Sequence, residues 1–382
     1  MNRELSHLDA LISSGYPLIL GCQSATALGI ARSLGRAGIN SCGVAFSTRP
    51  SLAAASRYTD IVYMEEANNI LLDWLLRERN TENPSNYLFC ADDASVKYVG
   101  DNRKELSKYW RFGDSSKFTI QELLQKTFVT KLAHESGFFV PQEIEMVQAD
   151  SNELTEFIER SSSPWIVKPG DSSQTSKRGF HIAHSPEQLS QHLKTITDGQ
   201  TKWLVQEYVT HSKDAKLMEV LGLSNGQEIR TVCVCGLKKR IYPEHFGSSA
   251  NLVTVHDRNL IEITTRFIDK IQFRGVFDIE VLKTPHGFVF IEINFRCGMP
   301  IDLAACSGLN LVQMAVSNRV PATSNYREGC VYIREPYEWR AVREKRLSLV
   351  RFIASFFTAN SRTLFSFRDP WPVLVKYWPF NR

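Results

Sequence analysis

The stretch RGVFDIEVLKTPHGFVFIEINFR, residues 274–296, holds the densest set of side chains able to do chemistry. Two segments of alternating character flank Thr284-Pro285-His286-Gly287, whose Pro and Gly are turn formers, so the pattern predicts a β-hairpin. A turn centred near His286 sets Glu280 opposite Glu292 and Asp278 opposite Asn294. With a side-chain period of two, Glu292, Asn294 and Arg296 share a face, joined there by Glu280 and Asp278. Ile279, Val281, Ile291, Ile293 and Phe295 then point the other way, into a core. Carboxylates crowded like this repel one another unless a cation sits among them. Their hard oxygens suit Mg2+, which takes few protein ligands and completes its shell with substrate phosphates. Arg296 suits the phosphate that such a metal would hold. The plain alternative is the solvated polar face of a half-buried hairpin.

This stretch resembles the metal-binding signature of the ATP-grasp superfamily, an acidic residue followed further on by E-x-N-x-R, here Glu280 and Glu292-Ile-Asn294-Phe-Arg296. The resemblance implies that Glu280, Glu292 and Asn294 bind two Mg2+ ions (Mn2+ as a substitute) on the triphosphate of ATP, and that Arg296 steadies the transferred phosphoryl group. The other nucleotide elements follow in order upstream. Lys126 matches the lysine near the α-phosphate and adenine, and Lys168, ending PWIVKPG, matches the second nucleotide lysine. DSSQTSKRG, residues 171–179, resembles the loop that closes over the phosphates, with Ser172, Ser173 and Thr175 turning backbone N–H groups toward anionic oxygens. WLVQEYV, residues 203–209, resembles the hinge strand, where Gln206 and Glu207 face the adenine amino group and the Val209 N–H meets the ring. Asp214 is the ribose candidate. Each element alone has a bland reading as strand-end lysine, surface linker or edge strand. Their order along residues 118–320 carries the resemblance.

What it implies is a carboxylate–amine ligase of the D-aspartate-ligase-like kind, joining a small-molecule acid and amine through an acylphosphate with release of ADP and phosphate. The alternative is an ATP-grasp kinase acting on a hydroxyl group of a small molecule or sugar. A nucleotide-binding regulator with a dead site is a third class, opposed by the intact Glu280, Glu292, Asn294 and Arg296. KKRIYPEHFGSS resembles the acceptor segment of D-aspartate-ligase-like members, with Arg240 as the catalytic candidate holding a carboxylate, and Tyr242, His245, Ser248 and Ser249 nearby. Against that, Arg240 reads as part of a surface basic cluster with Lys238 and Lys239. Asp278 stands where D-alanine–D-alanine ligases carry Arg, and Phe295 replaces a frequent Pro.

The elements that must position these residues fall into an α/β and an α+β part. Residues 1–117 alternate apolar runs (PLILG, DIVYM, YLFCA) with helical patterns, predicting a parallel sheet flanked by helices. The loop after PLILG lacks GxGxxG, and no acid ends the second strand, so it reads as a structural turn rather than a dinucleotide site. The expected whole is a Rossmann-like pre-ATP-grasp domain (1–117), a two-subdomain ATP-grasp fold (118–325, divided near 205) and a C-terminal extension (326–382).

The composition fits this reading. The 382 residues are 43% hydrophobic and 23% charged, which excludes disordered and fibrous classes. Forty-five basic against 41 acidic side chains give +4 without a basic block, so nucleic acid is not an expected partner. Eight scattered cysteines read as buried thiols, and the Cys233-x-Cys235 pair as strand neighbours rather than a zinc site. Glu4 and Asp9 interrupt the start, no apolar run reaches a membrane span, and the expected location is cytoplasmic. The tail from Leu347 interleaves aromatic and basic residues. It reads either as a segment packed back on the body around Asp369-Pro370 or as a weak peripheral membrane contact.

Overall fold

The computed structural model describes residues 2–47, 51–77, 87–146, 152–170, 180–196, 201–209, 215–225, 230–244 and 247–377. Near the N-terminus, β1 (Leu18–Leu20), β2 (Ser41–Phe46), β3 (Thr59–Met64) and β4 (Leu88–Cys90) form a parallel sheet in the order β3-β2-β1-β4. The helices α1 (Asn2–Ser13), α2 (Ala25–Arg36), α3 (Asn69–Leu75) and α4 (Asp93–Asp101) accompany it. β1 is buried throughout and β2 nearly so, as parallel strands covered on both faces must be. From β1 the chain runs outward to β2 and β3, while β4 pairs with the other edge of β1. The loops after β1 and β4 therefore diverge, which is where open α/β sheets form a crevice. Gly21 makes the first of these turns with φ +80°, and a Cβ there would press within 2.8 Å of the Asp92 carboxyl. Glycine alone combines that φ with that close approach.

The helices α5 (Arg103–Leu106), α6 (Ile120–Leu124) and α7 (Lys126–Glu135), with the short β5 (Asp114–Ser115), lead to an antiparallel sheet of order β6-β9-β7-β8. Its strands are β6 (Glu143–Met146), β7 (Trp165–Pro169), β8 (His181–Ala183) and β9 (Trp203–Glu207), with α8 (Asn152–Arg160) and α9 (Pro186–Ile196) alongside. This layer has its own small core around Phe157, Trp165 and Trp203.

A larger sheet follows in the order β14-β13-β10-β11-β12-β15-β16, with β5 also pairing to β13. It comprises β10 (Lys216–Asn225), β11 (Arg230–Tyr242), β12 (Ser248–Thr254), β13 (Phe273–Thr284), β14 (Gly287–Asn294), β15 (Val331–Ile333) and β16 (Ser361–Arg362). α10 (Arg258–Ile271) buries Leu260, Ile263, Phe267, Ile268 and Ile271 in one core with Phe277, Ile279 and Val281 of β13, the spacing that gives a helix one apolar stripe. Cys233 and Cys235 lie in that same core, and all eight cysteines are free thiols. α11 (Ile301–Ser307) and α12 (Leu311–Ser317) pack on α2, and Leu28 and Ile30 share a core with Leu221 and Val232 of the large sheet. The parallel sheet is thus docked firmly on the larger one, which fixes the walls of the crevice between them.

The C-terminal segment adds α13 (Glu335–Arg343), α14 (Leu349–Thr358) and α15 (Trp371–Tyr377). β15 and β16 extend the large sheet. Arg32 of α2, almost wholly buried, pairs with the fully buried Asp369 at 3.0 Å and donates to the carbonyls of Arg362, Thr363, Leu364 and Asp369. Asp369 also accepts from the Ser56 hydroxyl and the Arg57 backbone N–H. The segment around Asp369-Pro370 is therefore packed back on the body, as the first of the two readings of the tail expected. Removing one partner strands the other charge in a dry interior, so Arg32→Met should cost about 3–5 kcal/mol in denaturant unfolding. A loss under about 1 kcal/mol would show that the pair does not hold the tail.

Candidate active site

The β13–β14 hairpin turns on Pro285 and His286, and the pairs Thr284–Gly287, Lys283–Phe288, Leu282–Val289 and Val281–Phe290 run up from it. Continued without interruption, that register would set Glu280 against Ile291. A bulge after Val281 inserts one extra residue in β14, so that Glu280 meets Glu292, Ile279 meets Ile293 and Asp278 meets Asn294. The expected pairing is present, but a bulge produces it. One expectation fails for the same reason: Ile291, assigned to the core, is half-buried and lines the cleft.

On the other side of β13 lies β10, where Glu219 stands opposite Glu280. Glu292, Glu280 and Glu219 thus form one row across three neighbouring strands, with Asp278 two residues along from Glu280 on β13. Lys238 of β11 enters this row from the next strand, its side chain wholly buried, with Nζ 2.5 Å from Glu280 and 3.7 Å from Glu219. Burial works against the ammonium, yet Glu280 and Glu219 outweigh it and raise its pKa. Burial likewise pushes Glu280 up to about 7, opposed by Lys238 and reinforced by Glu292 and Glu219. The Asp278 carboxyl is held well above its ordinary range by burial, then by Glu219 and Glu280.

Glu219 and Lys238 were not among the expected site residues, and Lys238 was read as part of a surface cluster. The signal was available: Glu219 is a lone charge inside the apolar run LMEVLGL, and Lys238 falls on the strand face opposite Cys233 and Cys235.

Facing this row across the cleft are the two expected lysines. Lys168, on β7, is buried and donates to the Gln206 side chain at 2.9 Å, while Gln206 donates to Glu143 at 2.7 Å. Burial lowers the Lys168 pKa, opposed by Glu292 and Glu143. Lys126 opens α7, donates to the Pro169 carbonyl at 2.7 Å and stands 6.0 Å from the Phe180 ring. Gln206 and Glu207 were expected to face an adenine amino group, and both side chains have partners within the protein. The Gln206 amide is engaged between Lys168 and Glu143, and the Glu207 carboxylate accepts from the backbone of Gln142 and Ser162. Both residues and Val209 nevertheless line the cleft. Ser172, Ser173, Thr175, Asp214 and His245 lie outside the described residues.

The remaining wall comes from the parallel sheet. Asp92 caps α4 by accepting from the Ser95 N–H, and Asp93 accepts twice from the Arg296 guanidinium, at 2.7 and 3.0 Å. Burial opposes the Arg296 charge, but Asp93 more than offsets it and the pKa is raised. Arg296 also donates to Asn294 Oδ1, and Asn294 donates to Asp278, each at 3.3 Å. Ser24, the N-cap of α2, lines the same end of the cleft. The position of Asp92 and Asp93 just after a buried parallel strand is the signal that could have found them.

Arg240 does not join this assembly. Its guanidinium makes a two-pronged ion pair with the fully buried Glu338 of α13, so it ties β11 to α13 instead of facing an acyl group. Tyr242 donates to Glu344 at 3.0 Å. Ser248 and Ser249 do line the cleft, and the Ser249 hydroxyl donates to Glu219.

The cleft measures about 470 Å3, the size of a small-molecule site. Its acidic end fits a hard divalent cation. Glu219, Glu280, Glu292 and Asp278 bring four carboxylates to one part of the cleft, where Lys238 pairs with Glu280 and Glu219, and the buried Asp278 Oδ1 has no hydrogen-bond partner among the described residues. A bound cation would relieve both the repulsion and the unmet oxygen. Among the described residues no group of three or more His, Cys, Asp or Glu side chains is placed to hold a metal ion by itself.

The Tubulin-tyrosine ligase family matches residues 101–211. No curated protein sequence matches the chain. Among solved structures, N5-carboxyaminoimidazole synthetase from Staphylococcus aureus, complexed with ADP, is similar with a TM-score of 0.62 at 14% identity, covering 83% of this chain and 81% of that one. L-amino acid ligase from Bacillus licheniformis gives 0.58 at 14% identity, with 79% and 74% covered. The biotin carboxylase domain of Hydrogenobacter thermophilus 2-oxoglutarate carboxylase, with MgADP and bicarbonate, gives 0.60 at 14%, with 82% and 73% covered. The fold is the mixed α/β ATP-grasp fold.

Because the folded Glu280 carboxyl sits near 7 against an ordinary 4.5, folding favours its protonated form. Its contribution is best at low pH and worsens as pH rises from about 4.5 to about 7. Glu280→Gln should therefore gain on the wild type by up to about 1.4 kcal/mol per pH unit across that window. Denaturant unfolding of both proteins at pH 5 and pH 8, without divalent cations, checks this. A stability difference that does not change with pH contradicts the buried acidic row.

Proposed function

We propose that the chain is an ATP-dependent carboxylate–amine ligase, forming an amide or peptide bond through an acylphosphate. The observation that carries this reading is the row of Glu292, Glu280 and Glu219 facing one cleft with Lys126 and Lys168. Glu280, Glu292 and Asn294 would hold Mg2+, which when bound neutralises charge on the triphosphate oxygens. Lys126 and Lys168 would meet the phosphates from the opposite wall. Arg296, anchored on Asp93, is aimed so that its charge lies beside Asn294, where the transferred phosphoryl group would pass.

In this reading an oxygen of the substrate carboxylate attacks the γ-phosphorus in line. The bond from that phosphorus to its bridging oxygen breaks, and ADP leaves with the electron pair. The amine nitrogen then attacks the acyl carbon, the carbon–oxygen bond to phosphate breaks, and the amine proton passes to solvent. Enclosure would protect the acylphosphate from water. The parts of the cleft lined by Ser24, Asp92 and Ser248 would receive the acid and amine. The similarity to an L-amino acid ligase and to the Tubulin-tyrosine ligase family supports ligation as the reaction class.

Purified full-length protein with MgATP, amino-acid and sugar-acid pools and hydroxylamine tests this. The wild type should release ADP and accumulate hydroxamate. Glu292→Gln should lower turnover at least about a hundredfold while keeping the wild-type melting temperature. ADP release without hydroxamate, together with a phosphorylated hydroxyl product, would replace ligase by kinase. Unchanged turnover in Glu292→Gln would overturn the metal assignment.

A further inference from the structure

Eleven large apolar side chains are exposed among the described residues, and eight of them lie between Trp339 and Leu374. The centre of this concentration is α14, LVRFIASFFT, which buries none of its residues. Val350 is 77% and Phe357 69% exposed. The patch is continuous: ring contacts run from Trp339 to Phe352 at 5.7 Å, on to Phe356, across to Phe365 at 5.5 Å and to Phe367 at 4.8 Å. Phe367 is itself 76% exposed and Trp371 59%. The fold holds this surface open rather than letting it collapse. Arg362 donates to the carbonyls of Phe356 and Phe357 at the end of α14, and Arg32 with Asp369 locks the following turn onto the body. A fixed, contiguous apolar face of this kind marks a surface that meets something.

Its charge says what. Arg340, Arg343, Lys345, Arg351 and Arg368 are exposed along the same stretch of chain, while Arg346 is paired with Glu344 and also meets Glu244. Between Trp339 and Tyr377 the acids are Glu344, paired to Arg346, and Asp369, buried against Arg32. The rim is therefore strongly positive. A second copy of the chain would set one positive rim against another, whereas anionic lipid headgroups complement it while the aromatic rings enter the headgroup boundary. No described helix is long and apolar enough to cross a membrane, so the contact lies on the surface.

We infer that α14, with Trp339, Phe367 and Trp371, docks the chain on an anionic lipid bilayer as a peripheral membrane protein. This inference stands apart from the ligase reading, since none of these residues lines the cleft.

Flotation of the full chain with vesicles tests it, using phosphatidylcholine alone and an equimolar mixture of phosphatidylcholine and phosphatidylglycerol. The wild type should float with the mixed vesicles and at least about tenfold less with phosphatidylcholine alone. The double variant Val350→Glu, Phe357→Glu changes exposed positions only. It should keep the wild-type melting temperature and lose flotation. Arg343→Glu with Arg351→Glu should also lose it, because anionic lipid then meets acid. Failure of the wild type to float with mixed vesicles overturns the inference. So does a dimer, seen by light scattering, that Val350→Glu, Phe357→Glu converts to monomer while vesicle binding is absent.

Discussion

Carboxylates brought together along one wall of a cleft are the constraint on which this structure turns. Glu292, Glu280 and Glu219 are set side by side by strand register, with Asp278 beside them. Repulsion and desolvation both resist that arrangement, and the protein answers only part of it from within, through Lys238. The rest must come either from protons, which burial draws to Glu280 and Asp278, or from a cation entering with a ligand. A site built this way prefers to be filled. In the proposed reading a cation arriving with the nucleotide would fill it.

The surrounding fold serves to keep that row from relaxing. The bulge at Ile291 holds Glu292 in line with Glu280. α10 packs Phe267 and Ile268 into one core with Ile279 and Val281, so β13 cannot slide. Arg296 reaches from the hairpin to Asp93 at the end of the parallel sheet, joining two layers that the sequence separates by some two hundred residues. On the opposite wall, Glu143, Gln206 and Lys168 form a chain of hydrogen bonds that aims one ammonium into the same space.

Much of this was legible in the residues. Alternation on both sides of a Pro-His-Gly turn pointed to the hairpin and to the pairs Glu280–Glu292 and Asp278–Asn294, because side-chain period and turn chemistry are local properties, but the structure reaches those pairs through a bulge that alternation does not specify. What remained hidden was non-local. The strand face of Lys238 could be read locally, but its pairing with Glu219 and Glu280 depends on β10 and β11 lying next to β13. Arg240 sits in the same basic run, yet Glu338, far away in sequence, takes it out of the site. Gln206 lines the cleft as expected, but its partners Lys168 and Glu143 come from neighbouring strands and change what its amide does. The tail proved to be two things at once: its Asp369 turn is packed on Arg32, while α14 stays exposed.

Diffraction from crystals grown with ADP and Mn2+, collected at the manganese edge, tests the central claim most directly. The account predicts anomalous density within bonding distance of the Glu280 and Glu292 carboxylates and Asn294, bridged to the nucleotide phosphates. Well-ordered ADP in the cleft with no manganese near those residues would contradict it.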